Sequence, residues 1–271
     1  MVLTLPSQAN VPPTNFYNYS VIFTGPKKIG KTSLAAQAPN SFIMEFEPGN
    51  AKGLPIRFLD IATWQEANEI LVLLQVQPNY CSTLIVDDLP SLFRLCYSYK
   101  CKQLAIDSPW DMTHGKAFDM ISKEFNDYIG KLQALPCGKI YTAHAEIQEF
   151  KLISGQTYNR LEPSYPAEIT RFVNKSVQIE GMLYLNEKSE RVITFKGTTL
   201  LRASCGIPGH FLGKDGSILN YIPLGNSPEE GYKNLMLAWN NQLVVSNGET
   251  AGIKKEEFTK VNKFVFGKDK K

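Results

Sequence analysis

Eight residues, Gly25-Pro26-Lys27-Lys28-Ile29-Gly30-Lys31-Thr32, match the spacing G-x-x-x-x-G-K-[ST] at every fixed position, and they restrict the fold more than any other stretch of the chain. Gly25 and Gly30 allow the backbone to wrap closely around a phosphate, with main-chain N–H groups facing the anion where the next helix starts. Lys31 then brings a point charge to the β and γ phosphates, and the hydroxyl of Thr32 suits magnesium. Pro26, Lys27, Lys28, Ile29 and Ser33 complete the wall of such a site. The flanks agree with this reading. Tyr19-Ser20-Val21-Ile22-Phe23-Thr24 is a short β-rich apolar run, and Ser33-Leu34-Ala35-Ala36-Gln37-Ala38 is helix-forming material stopped by Pro39. Strand, glycine loop and helix follow in the order that phosphate binding requires. An ordinary glycine turn with a solvated Lys31 needs no such order.

The 271 residues suffice for one large α/β domain, or for a nucleotide-binding core of about 200 residues with an extension. No apolar stretch approaches the roughly 18 residues of a membrane span, and Met1-Val2-Leu3-Thr4-Leu5-Pro6-Ser7 lacks a basic start and a long apolar region. A soluble, cytoplasmic protein with no membrane partner is expected. Five cysteines, Cys81, Cys96, Cys101, Cys137 and Cys205, are odd in number, form no C-x-x-C and have no histidine at metal-ligand spacing. They read as reduced and mostly buried. The net charge of +3 divides unevenly: residues 251–271 carry seven lysines against three acids, while the other 250 residues hold 22 basic and 23 acidic side chains. Any pull on nucleic acid must therefore come from local patches or from this tail.

Residues 1–15, with Pro6, Pro12 and Pro13, read as an extended arm, and residues 246–271 as a basic tail without fixed structure. Between them the spacing predicts a strand over residues 41–46, a turn at Glu47-Pro48-Gly49-Asn50, and a helix opened by the capping box Thr63-Trp64-Gln65-Glu66 and running to Val76. Thr83-Leu84-Ile85-Val86-Asp87-Asp88 is an apolar run ending in acids, as expected of a strand buried on both faces of a parallel sheet. A helix over 116–135 and a strand over 139–144 follow. Alternating strands and helices predict a mostly parallel sheet covered on both faces. Residues 178–186 and 191–197 predict an antiparallel extension, with 199–204 as its third strand, and Ser227 caps a last helix carrying Trp239.

A nucleotide site needs a second acid at a strand end to hold magnesium, and Asp87 is the candidate, with Asp88 beside it. A base or polarising group for the attacking water is also needed. Glu47 after the second strand is placed for it, with Glu45 as competitor.

These residues carry a resemblance. The order Gly25 to Thr32, Phe42-Ile43-Met44-Glu45-Phe46-Glu47, Leu84-Ile85-Val86-Asp87 and Tyr141-Thr142-Ala143-His144 resembles a RecA-like P-loop ATPase. More narrowly, it is similar to the phage nucleotide-binding AAA proteins related to RecA that act in single-strand annealing and recombination, over roughly residues 17 to 210. The resemblance implies an α/β P-loop NTPase fold over residues 16–245, with a RecA-like, mostly parallel sheet flanked by helices and an antiparallel extension. It implies ATP and Mg2+ as cofactors, Thr32 and Asp87 as metal ligands, and Lys31 and Asp87 in catalysis. Glu47 would activate water. His144, where RecA itself carries glutamine, would sense the γ-phosphate; a hydrogen-bonded core histidine is its other reading. Arg202, with Lys196 in reserve, would reach a neighbouring subunit's nucleotide; its other reading is a surface ion pair.

Single-stranded DNA is the implied partner, held in two loops after the Walker B and sensor strands, Cys96–Gly115 and Ala145–Lys175, whose aromatics are interleaved with cations; Glu146, Glu149, Glu162 and Glu168 dilute that patch, and a solvated, oligomer-contacting loop is the other reading of the same residues. A homo-oligomeric ring or filament and a single-strand-binding protein are further implied partners, in a host cytoplasm if the chain is phage-encoded. Two rivals stand beside this reading: a nucleotide-switched assembly or adaptor protein, and a P-loop kinase acting on a small molecule.

Overall fold

A computed structural model describes residues 9, 11–152 and 154–244 of the chain. Most of the expected N-terminal arm and all of the expected basic tail lie outside the described residues. The strands are β1 (Ser20–Gly25), β2 (Ser41–Glu45), β3 (Arg57–Asp60), β4 (Thr83–Asp87), β5 (Gly138–Lys151), β6 (Thr157–Pro163), β7 (Ile179–Leu185), β8 (Arg191–Thr194), β9 (Ser204–Cys205) and β10 (Ile222–Pro223). The helices are α1 (Lys31–Ala35), α2 (Trp64–Val76), α3 (Leu89–Gln103), α4 (Lys116–Gln133), α5 (Ala167–Ser176) and α6 (Pro228–Trp239). The sheet runs β10-β8-β7-β1-β5-β4-β2-β3, with β6 paired to β5 and β9 to β7. From β3 to β7 every neighbouring pair along that path is parallel, whereas β8 and β10 add the antiparallel extension.

Strands β1, β2 and β4 are buried along their whole length, because helices cover both faces. Ile22, Met44, Leu84, Val86 and Tyr141 pack beneath α2, α3, α4 and α5. Their neighbours Val21, Phe23, Ile43, Ile85 and Ile140 pack under α1 and α6 on the other side. Alternate residues of one strand thus enter two different cores, and both must be apolar.

The helix boundaries follow their caps. Thr63 and Glu66 close the expected capping box on α2, and Ser227 Oγ accepts from Glu230 N at 3.2 Å at the start of α6. Trp239, the last residue of α6, is buried against Phe16, Tyr19 and Phe211 and stacks with His210 at 3.4 Å between ring centroids. Its indole N–H donates to Thr14 O at 2.8 Å, which ties the chain's beginning to its last helix.

Cys96–Gln103 are not loop but the second half of α3, which starts from the Asp88 cap and continues until Ala105 at φ 53°. Residues 145–175 are a hairpin and a helix: β5 passes straight through His144 to Lys151, turns into β6, and α5 follows. The third strand over 199–204 shrinks to the two-residue β9 and a bridge between Leu161 and Leu201. The edge strand β3 has no counterpart in the sequence reading.

Candidate active site

The glycine loop leaves β1 and enters α1 at the carboxyl edge of the parallel strands, where open α/β sheets bind ligands. A Cβ on Gly25 would meet Leu183 O of β7 at 2.5 Å, so only glycine lets the loop begin this close to its neighbour. Gly30 has φ +103°, which glycine adopts without strain. Ile29 is buried in the core beneath the loop and anchors it, while Lys27 and Lys28 stand exposed.

Lys31 folds back across the loop. Its Nζ donates to Gly25 O at 3.0 Å and Pro26 O at 2.9 Å, and lies 3.3 Å from His144 Nδ1. An ammonium has only protons to give, so Nδ1 accepts and the opposite ring N–H of His144 donates to Glu47 Oε2 at 3.0 Å. Strand register makes this chain of contacts possible: β5 lies between β1 and β4, and His144 pairs with Gly25.

Behind the loop, Thr32 Oγ1 donates to Asp87 Oδ2 at 2.8 Å, and Thr142 Oγ1 donates to Asp87 Oδ1. Asp88 caps α3 through Oδ1, which accepts from Ser91 N at 2.8 Å. Its buried Oδ2 has no hydrogen-bond partner and lies 3.7 Å from His144 Nε2. A cavity of about 160 Å³ is lined by Lys28, Gly30, Lys31, Thr32, Asp87 and His144, together with Ser33, Glu47, Asn50 and Asp88.

Residues 17–203 match the family model of the AAA domain. The chain belongs to the AAA domain family. No curated protein matches it. AAA domains bind nucleotides and are generally ATPases, and the match spans the strands and helices that converge on this cavity.

Burial controls the ionisation of the AAA domain's site. Desolvation pulls the Lys31 ammonium down to about 8, against the attraction of Asp87, Asp88 and Glu47. Desolvation also raises the Asp87 carboxyl, opposed by the hydroxyls of Thr142 and Thr32. Glu47 moves the other way: its hydrogen bond with His144 holds it below the usual carboxylate range. A polyphosphate would add negative charge beside Lys31 and favour its charged form further.

Of the residues expected at the site, Lys28, Gly30, Lys31, Thr32, Ser33, Glu47, Asp87 and His144 line the cavity; Gly25 and Pro26 meet Lys31 Nζ through their carbonyls, and Lys27 Nζ is 3.8 Å from Glu47 Oε1. Glu45 does not join them. It is fully buried, and its Oε1 accepts from Ala51 N at 2.8 Å, which pins the turn below the cavity. Arg202 is not brought to the loop: it donates to Glu180 Oε2 at 3.1 Å and Asn174 Oδ1 at 2.7 Å within the same subunit. Lys196, the reserve, donates to Asn220 Oδ1 at 2.9 Å. Two site residues escaped the sequence reading. Thr142 is a polar residue two positions before His144 in a buried strand, so the period of a strand puts both on one face. Asn50 carries no signal beyond its turn.

The donor set fits magnesium. Thr32 and Asp87 present a hydroxyl and a carboxylate, hard oxygen ligands of the kind that ion takes, and neither thiol nor imidazole intervenes between them. Among the described residues, no helix is long and apolar enough to cross a membrane.

Proposed function

We propose that this AAA domain binds and hydrolyses ATP with magnesium, and that it acts as an oligomer on single-stranded DNA in recombination or repair. The observation that carries the catalytic half is the convergence of Lys31, Thr32, Asp87, His144 and Glu47 on one cavity at the glycine loop. Lys31 exchanges the carbonyls of Gly25 and Pro26 for β and γ phosphate oxygens, a stronger, charge-assisted pairing. Thr32 and Asp87 would hold magnesium, which when bound neutralises charge on those oxygens. Glu47, ionised and oriented by His144, accepts the proton of a water aimed at the γ-phosphorus.

His144 would report the terminal phosphate along β5, which leads directly into the β5–β6 hairpin. That hairpin supports the DNA half of the reading: Phe150 and Tyr158 stack across it at 5.7 Å, and Lys151 is exposed. Elsewhere on the surface, Trp110 is 83% exposed and stands edge-on to Phe118 at 4.8 Å between ring centroids. Aromatic faces and cations together suit unstacked bases and their phosphates. Anisotropy of a fluorescent single-stranded oligonucleotide tests it. Binding should strengthen with an ATP analogue and weaken several-fold in Phe150→Ala and Trp110→Ala; no binding at low salt would remove the DNA half.

One observation favours the adaptor reading. Leu59 on edge strand β3 and Val72, Leu73 and Val76 on α2 are exposed together, as at a surface that meets another protein. Light scattering that shows an ATP-dependent change of mass, with hydrolysis indifferent to DNA, would put that reading first.

A further inference from the structure

Beside the basic side chain that the resemblance implies from a neighbouring subunit, a cation of the same chain stands at the glycine loop. We propose that Arg191 is a nucleotide-binding residue whose guanidinium contacts the phosphate chain on the flank of the loop opposite His144 and Glu47. The inference rests on the nucleotide reading above and adds a residue to it.

Strand β8 begins at Arg191, paired with Leu185 at the end of β7, and so lies at the same sheet edge as the glycine loop. The loop is already pressed against β7, as the contact between Gly25 and Leu183 shows. A Cβ added to Gly30 would find Arg191 Nη1 at 3.7 Å, with no other atom beyond its chain neighbours closer. Gly30 precedes the phosphate-binding lysine, and its main chain is one that a bound phosphate must approach.

The guanidinium is held in place before any ligand arrives. Nη2 donates to Gly225 O at 3.3 Å and to Asn226 O at 3.1 Å, which leaves the other arm of the planar fork toward the loop. Those carbonyls are themselves fixed, because Asn226 N donates to Glu230 Oε2 at 3.0 Å in the first turn of α6. The two flanks of the loop also differ in charge. Strands β2, β4 and β5 bring Glu47, Asp87 and His144 to one side; β7 and β8 bring Arg191 to the other. A polyphosphate whose terminal group lay beside Asp87 and Glu47 would run out across Gly30 toward Arg191. The ligand class is therefore a nucleoside di- or triphosphate, with Arg191 on its inner phosphates. An arginine fork can keep both carbonyls through Nη2 and still donate from Nη1 to a phosphate oxygen, whereas a lysine would have to serve all of them from one shorter-reaching nitrogen.

Equilibrium titration with fluorescent ATP and ADP analogues tests the assignment, with wild type, Arg191→Gln, Arg191→Lys and Arg191→Ala compared and each variant's melting temperature recorded. Loss of a charge-assisted hydrogen bond weakens binding by about tenfold to a hundredfold. That loss is expected for ATP and ADP alike in Arg191→Gln, where the amide can still donate to a carbonyl and preserve the fold. Arg191→Lys should fall between Gln and wild type. Should Arg191→Ala fail to fold, Arg191→Gln decides the matter. A lowered melting temperature with ATP and ADP affinities within twofold of wild type would overturn the proposal and leave Arg191 as a staple between β8 and α6. Wild-type protein that bound neither nucleotide would remove the nucleotide reading itself, and the proposal with it.

Discussion

Lys31 is the residue on which the site turns, and its ionisation yields a signed prediction. Burial lowers the ammonium to about 8 in the nucleotide-free protein, whereas a bound polyphosphate favours the charged form and raises it. ATP affinity is therefore flat below pH 8 and falls above it, toward tenfold per pH unit, until the raised value in the complex is reached. The same shift acts on the fold with its own sign. A lysine depressed in the folded state binds fewer protons there than in the unfolded chain, so the stability of the nucleotide-free protein rises from pH 8 toward the ordinary lysine value. Titrations of ATP binding from pH 6.5 to 9.5 would show the first effect, and a pH-independent affinity would contradict it. His144 makes a different prediction. Because it orients Glu47, His144→Ala should lower kcat by about a hundredfold or more with little change in ATP affinity. An equal loss of affinity would place it among the binding residues instead.

Elements differ in how clearly the sequence announced them, and the reason is physical. Strands β1, β2 and β4 were legible because burial on both faces demands continuous apolar runs, and α2 because its capping box is a local signal. Strand β3 was not, since an edge strand of four residues with mostly exposed side chains carries no such pattern. The second half of α3 reads as loop only because the resemblance implies a DNA-holding loop after the Walker B strand, where Tyr97, Tyr99, Lys100 and Lys102 lie. In the fold the two tyrosines pack on the core, and Lys100 pairs with Glu124 at 2.9 Å. Arg191 gave no signal at all, because its distance in sequence from Gly30 is closed only by the sheet. Within α6, Trp239 is the element's anchor to Phe16, Tyr19 and Phe211, and Trp239→Ala should cost about 3–5 kcal/mol, read as a lowered denaturant midpoint. A loss under about 1 kcal/mol would show that α6 contributes little to the core.

Across the whole molecule, the family match ends at residue 203, yet the packing does not. Phe211, Leu219, Leu235 and Trp239 enter the same core as Phe16, Phe23 and Ile43. A chain cut after residue 203 should therefore expose apolar surface and fail to give the cooperative unfolding transition of the full-length protein. The glycine loop, Asp87 behind it and strand β5 with His144 are legible in the sequence; the placement of Arg191 beside Gly30 and the exposed residues of α2 are visible only in the assembled sheet. On the proposed function, the cavity at the glycine loop hydrolyses ATP and couples that reaction to single-stranded DNA. The most direct test is the steady-state rate of ATP hydrolysis with magnesium, measured with and without single-stranded DNA, in wild type and in Lys31→Ala. A rate that DNA stimulates and that Lys31→Ala abolishes is the predicted result; a rate equal in the two proteins, or none in either, would contradict it.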